Sequence, residues 1–287
     1  MNDPTSKTSL GVLAELACVW EATARKPGNV HRFMDRDDLG YLDLLASAAA
    51  IGPALEKAWY RPVGEIVLEA IKATRNVVST NANLGIVLLL TPLAAAIPGR
   101  PLRQEVTRIL GELTVADAVL VYEAIRLAEP GGLGHVDEQD VADTPTVTLK
   151  QAMELAEARD RIAWQYAFGF ADIFDIGVPT LTSALEAGHS LESAIVATHL
   201  AFLAAVNDSL ILRKFGPDTA AEVRSRVRAL LDQRAPFAEE SRAALAEFDA
   251  WLRTNRYNPG TSADLMAASL FAALREGMIK LPSPRWT

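Results

Sequence analysis

Long stretches of this chain carry apolar residues three and four positions apart, and almost none alternates apolar with polar. The segment 190–214 shows this best: Leu191, Ala194, Ile195, Thr198, Ala201, Phe202 and Ala205 fall on one helical face. Side chains at that spacing stack on one side of a helix, whereas a half-buried strand needs a period of two. Helices are therefore expected at roughly 9–24, 38–59, 62–78, 83–97, 101–111, 114–128, 148–175, 178–187, 190–214, 217–232, 236–255 and 261–277. Alanine is frequent, so helix axes can approach closely, and no run reads as a strand. The pattern predicts an all-α fold, a single-domain bundle of about twelve helices spanning 1–287, without internal repeat or flexible linker.

Charge and targeting signals narrow the classes of function. The 28 basic and 36 acidic residues leave a net charge of −8, which argues against a nucleic-acid partner. A single cysteine, Cys18, cannot form an internal disulfide and suits a reducing cytoplasm. The start, "MNDPTSKTSLG", lacks the basic flank and apolar core of a signal peptide. The most apolar stretch, "LGIVLLLTPLAAAI" (84–97), is too short to span a bilayer and contains Pro92. It reads as a core helix, and no membrane partner is expected. A homodimer is the default expectation for a soluble enzyme.

Helical bundles build sites from polar groups at helix ends and on facing sides, and four polar islands interrupt the apolar helices. In 22–43, Lys26, His31 and Arg32 precede Asp35, Asp37, Asp38 and Asp43. That mixture suits a Mg²⁺–polyphosphate ligand, although a solvated, charge-balanced loop is the plainer reading of composition alone. In "STNANLG" (79–85), Ser79, Thr80 or Asn81 can cap the next helix, whose N–H groups can also bind an anion. In "VNDSLILRKFG" (206–216), Asn207, Asp208 and Ser209 lie inside an apparently continuous helix, with Arg213 and Lys214 near its end. In "RYNPGTSADL" (256–265), Thr261 or Ser262 can cap and Asp264 falls in the expected first turn, while Pro259-Gly260 allows close backbone approach. A separate loop, 129–145, contains "PGGLGHVDEQDV". No strand precedes it and no Gly-Lys-Ser/Thr follows, so it is not a P-loop. His31, His135, His189 and His199 show no zinc-ligand spacing.

Taken in order, the islands resemble the triphosphoribosyl-dephospho-CoA synthase family over roughly 12–279. The resemblance is strongest at Lys26-Pro27-Gly28 and Pro259-Gly260-x-Ser262-Ala263-Asp264-Leu265. It implies an all-α transferase that moves the triphosphoribosyl group of ATP to 3′-dephospho-CoA and releases adenine, with Mg²⁺ accompanying ATP. Under this resemblance, Lys26, Gly28, Arg32, Thr80, Asn81, Arg213, Lys214, Gly260 and Ser262 serve the nucleotide and its phosphates. Asp35, Asp38 and Asp208 are the metal candidates, and Asp208, Asp264 and Asp38 the acid–base candidates. The second island departs from the family's usual Asn-Thr-His-Lys-Gly, reading Asn81-Ala82-Asn83-Leu84-Gly85. In the third, Asp208-Ser209-Leu210 stands where Asp-Thr-Asn is usual, and Arg213-Lys214-Phe215-Gly216 where Arg-Gly-Gly follows. Two alternatives stay open: the same ATP chemistry with another acceptor in a different cofactor pathway, and a nucleotide-binding helical protein without catalysis.

Overall fold

Two of the expected helices are broken, and at each break an aspartate caps the helix that follows. The computed structural model describes residues 8–131, 134–233, 241–282 and 284–287. Among them are fourteen α-helices, one π-helical turn and no strand, so the bundle is all-α but exceeds the expected twelve helices. The first six are α1 (Leu10–Thr23), α2 (Tyr41–Leu55), α3 (Val63–Arg75), α4 (Leu84–Ala95), α5 (Leu102–Glu112) and α6 (Val115–Ala128). The expected helix 148–175 divides into α7 (Leu149–Ala156), α8 (Arg161–Ala167) and the π-helical turn Ile173–Gly177. Asp160 causes the first division, accepting from the N–H groups of Ile162 and Ala163 at 2.8 and 3.2 Å. Gly169 and Phe170, both at positive φ (63° and 61°), end α8.

After α9 (Val178–Glu186), the expected helix 190–214 divides into α10 (Leu191–Ala205) and α11 (Ser209–Phe215). Asp208 is therefore an N-cap and not a helix-interior residue. The chain finishes with α12 (Pro217–Gln233), α13 (Ser241–Thr254) and α14 (Gly260–Arg275). Residues 132–133 of the loop and 236–240 of the expected helix 236–255 lie outside the described residues.

Helix α14 is the axis of the larger core: Thr261–Ala263 and Leu265–Leu274 are all buried, against α1, α4, α10 and the π-helical turn. Helix α4 is a core helix, as its apolar run predicts, and Tyr166 of α8 donates to the Leu88 carbonyl at 2.7 Å. A smaller core joins Leu200 and Leu203 of α10 to Ile211, Val223, Val227, Phe248 and Leu252. Among the described residues no single helix is long and apolar enough to cross a membrane. The bent pair α10–α11, 53° apart, passes only by length and composition.

Candidate active site

The four islands meet at the start of α14, beside a cavity of about 730 Å³ walled by α1, α2, α4, α6, α7, α8, α11 and α14. Asn258 accepts from the Asn29 side-chain amide at 3.0 Å, tying the fourth island to the first. Gly28 lies in the same contact at φ 75°. Its N–H donates to Asp249 at 2.7 Å, and a Cβ there would lie 2.7 Å from Leu252 Cδ1. Ser262 donates through both N–H and Oγ to Asp208 Oδ2, at 2.8 and 2.9 Å, which joins the fourth island to the third. The second island enters through Gly85: a Cβ at that position would meet the Asp264 carboxyl carbon at 2.6 Å. The loop joins through Arg213, whose guanidinium donates to the Gly131 carbonyl at 3.2 Å and to Asp160 at 3.1 Å.

Local geometry revises several expected roles. Because α14 begins at Gly260 with Pro259 at its cap position, neither Thr261 nor Ser262 caps it, and Asp264 sits one turn in. Of the expected site residues, Asn81, Arg213, Gly260 and Asp264 line the cavity. Asn81 also accepts from the Leu84 N–H at 3.2 Å, and Thr80 beside it is not on the wall. Lys26, Gly28, Asp208 and Ser262 form the layer behind it. Arg32 is turned away into an ion pair with Glu192 at 2.8 Å, and Lys214 is exposed. Asp35 accepts from the Tyr41 N–H at 2.6 Å, while Asp38 is exposed on the same loop.

Burial sets the charges. Asp208 is buried, and its carboxylate accepts four hydrogen bonds: two from Ser262 and one each from Leu210 N–H (3.0 Å) and Ile211 N–H (3.2 Å). Burial still pushes its pKa above the ordinary carboxylate value, against the pull of those bonds. With its acceptor positions filled, Asp208 fastens α11 to α14 and has none left for a metal or substrate. Lys26 is fully buried and ion-paired at 2.9 Å with Glu21, itself only 2% exposed. Burial raises the Glu21 pKa, with Lys26 pulling the other way. His199 is also fully buried, and neither ring nitrogen has a hydrogen-bond partner. Burial, then Lys26, pushes it down to about 3, so it is neutral, although the bordering backbone of Pro27 and Ser262 favours the proton slightly.

Asp264 differs from these braced groups, making no hydrogen bond or ion pair with a described residue. Burial first, then Glu21, Asp208 and Asp160, push its pKa well above the ordinary carboxylate value, with Arg213 opposing. The cavity wall thus presents an unpartnered carboxyl group that holds its proton to higher pH than an ordinary carboxylate, the direction a general acid needs.

Sequence reading missed Glu21, Asp160, Arg126 and Arg159, all on the cavity wall. Glu21 carried a usable signal, an acid inside an apolar helix five residues before Lys26; the arginines carried none. Asp35, Asp38 and Asp208 do not assemble into a metal site: among the described residues no group of three His, Cys, Asp or Glu side chains is arranged to hold an ion.

Comparison with known proteins agrees with this convergence of islands. The model of the CitG family, described as ATP:dephospho-CoA triphosphoribosyl transferase, matches residues 7–282. A Pseudomonas putida relative named "Probable 2-(5''-triphosphoribosyl)-3'-dephosphocoenzyme-A synthase" is 33% identical over 103 residues, covering 36% of this chain and 37% of the relative. A relative of the same name from Pseudomonas savastanoi pv. phaseolicola is 28% identical over 147 residues, covering 44% of this chain and 50% of the relative. These matches span at most half the length of the curated relatives. A solved structure from Archaeoglobus fulgidus, described as a candidate triphosphoribosyl-dephospho-CoA synthase, superposes with a TM-score of 0.64 at 29% identity. It covers 81% of this chain and 99% of its own. Since the family model spans nearly the whole chain, from before α1 to beyond α14, the protein belongs to the CitG family.

Proposed function

We propose that this protein transfers the triphosphoribosyl group of ATP to 3′-dephospho-CoA and releases adenine. The observation that supports this most is Asp264: an unpaired carboxyl of raised pKa on the wall of a nucleotide-sized cavity, in a chain of this family. Cleaving the N-glycosidic bond leaves electron density on the departing base and positive character on the ribose. Asp264 supplies the proton that adenine needs as the C1′–N bond breaks. The acceptor's ribose hydroxyl oxygen forms the new bond to C1′, and its proton restores the one Asp264 gave, so the atoms balance. Asp208 and Ser262 act as positioning residues that hold the first turn of α14.

Magnesium would arrive with the triphosphate as part of the substrate. Such an ion keeps most of its waters and takes one or two carboxylates besides the phosphates. Glu138, exposed on the cavity wall, offers suitable oxygens, while those of Asp160 are shared with the α8 cap and Arg213.

Incubation with ATP, Mg²⁺ and dephospho-CoA should release adenine and yield an acceptor heavier by the triphosphoribosyl group. ADP or AMP as the nucleotide product would overturn the proposal. One observation favours a second reading with a different acceptor: Leu84, an apolar residue, lines the cavity where the family pattern carries lysine. Adenine release only with another acceptor would select that version.

A further inference from the structure

The cations that the motifs pointed to are largely engaged. Lys26 is paired with buried Glu21, and Arg32 is held by Glu192 and the Thr23 carbonyl. Two arginines outside every motif are in the opposite condition. Arg126, in the last turn of α6, donates to the Val141 carbonyl at 2.6 Å; Arg159, between α7 and α8, donates to the Leu155 carbonyl at 3.0 Å. Both line the cavity and are exposed, and neither makes an ion pair with a described residue. Each guanidinium thus uses one of its five N–H groups on the backbone and keeps its charge uncompensated.

The wall beside them is built. Tyr122 Oη donates to the Gln139 carbonyl at 2.7 Å, and Asp140 takes the N–H groups of Val136 and Ala142, each at 2.8 Å. His135 lies 3.0 Å from the same carboxylate, so Asp140 is engaged within its own loop and does not neutralise the arginines. Arg213 reaches the same region through Gly131. Two unpaired guanidiniums therefore line one opening together with Arg213, which is ion-paired with Asp160 at 3.1 Å, an arrangement suited to the oxygens of a polyphosphate.

The most buried part of the wall has the opposite character. Glu21 and Asn83 are 2% and 3% exposed, and Asn83 Oδ1 has no hydrogen-bond partner. An unsatisfied buried acceptor is costly and matches the exocyclic amine of an adenine. Asp264 stands at Gly85, two residues along from Asn83.

We infer that Arg126 and Arg159, together with Arg213, hold a polyphosphate chain at the rim of the cavity, so that a nucleotide enters base first. This rests on the transfer reading for its substrate, but its test does not need turnover. Inorganic tripolyphosphate, with and without Mg²⁺, is titrated calorimetrically into the full chain. Arg126→Ala and Arg159→Ala should each weaken binding at least tenfold, and Arg126→Lys less, because lysine keeps the charge but loses the bidentate fork. Arg103→Ala, which removes an exposed charge from α5 outside the cavity, should change it less than twofold. Unchanged melting temperatures, expected for exposed side chains, separate lost contacts from misfolding.

Equal affinity in wild type and both alanine variants would overturn the inference, as would failure of the wild-type protein to bind tripolyphosphate. If the arginine dependence holds but ATP and dephospho-CoA release no adenine, the polyphosphate site stands and the transfer reading falls. Adenine release with arginine-independent tripolyphosphate binding would mean the reverse.

Discussion

Asp264 and Lys26 show how differently two ionisable groups behave beside one cavity. Asp264 has a raised pKa and no partner, so the folded chain holds this proton to higher pH than the unfolded chain does. A carboxyl of this kind contributes its full stability below the unfolded pKa and loses it as pH rises through the folded one. Asp264→Asn keeps size and neutrality, so the variant should gain stability over wild type as pH rises above the ordinary carboxylate pKa and match it below that pKa. It should also lose roughly 10²–10⁴-fold in adenine release, the usual worth of a general acid. A variant within tenfold of wild type would remove Asp264 from the chemistry.

Lys26 answers to a different measurement. Lys26→Met strands Glu21 without its counter-ion, which should cost about 3 kcal/mol in urea unfolding at neutral pH. The loss should shrink toward pH 4, where Glu21 is protonated. Tripolyphosphate affinity should not change; a large loss of affinity at intact stability would restore Lys26 as a phosphate ligand.

At the scale of elements, the decisive joint is the one where α10 ends and α11 begins. Asp208 caps α11 with one oxygen and holds Ser262 of α14 with the other, so one side chain sets the angle between a short helix and the central one. Asp208→Ala removes a cap and leaves buried donors unsatisfied. The cost should be about 3 kcal/mol by denaturant titration, with adenine release falling further than stability alone explains. Unchanged unfolding would show that the joint is held by packing of Ile211 and Leu210 instead. The helical periodicity made the all-α fold and most helices legible, because apolar spacing reports directly on burial. It could not show this joint, since Asp208 and Ser209 interrupt the apolar pattern for only a few residues and their cap geometry depends on α14, over fifty residues away. Asp160 hid the division between α7 and α8 because it too interrupts the apolar pattern only briefly. Gly260 was legible as a place of close approach, but Gly85 was not, because what approaches it is a carboxyl group one turn into a distant helix. Arg126 and Arg159 belong to no motif and became visible only when α6 and α7 were placed around the cavity.

Across the whole molecule, the cavity lies where the larger core meets α11, a helix whose Ile211 packs into the smaller core. A ligand seated there touches α4, α6 and α14 on one side and Arg213 of α11 on the other, so binding couples the two cores. At about one hundred times its Kd, ATP with Mg²⁺ should stabilise the native state by about 2.7 kcal/mol. For a chain of this size that corresponds to a rise in Tm of about 5 °C. The stabilisation should also be local. Amide exchange should slow in α11, in 134–142 and in the first turns of α14, while α5 and α9, which do not border the cavity, keep their rates. Protection confined to α12 and α13 would place the nucleotide elsewhere, and no change in Tm at saturating ATP would remove the cavity from nucleotide binding altogether.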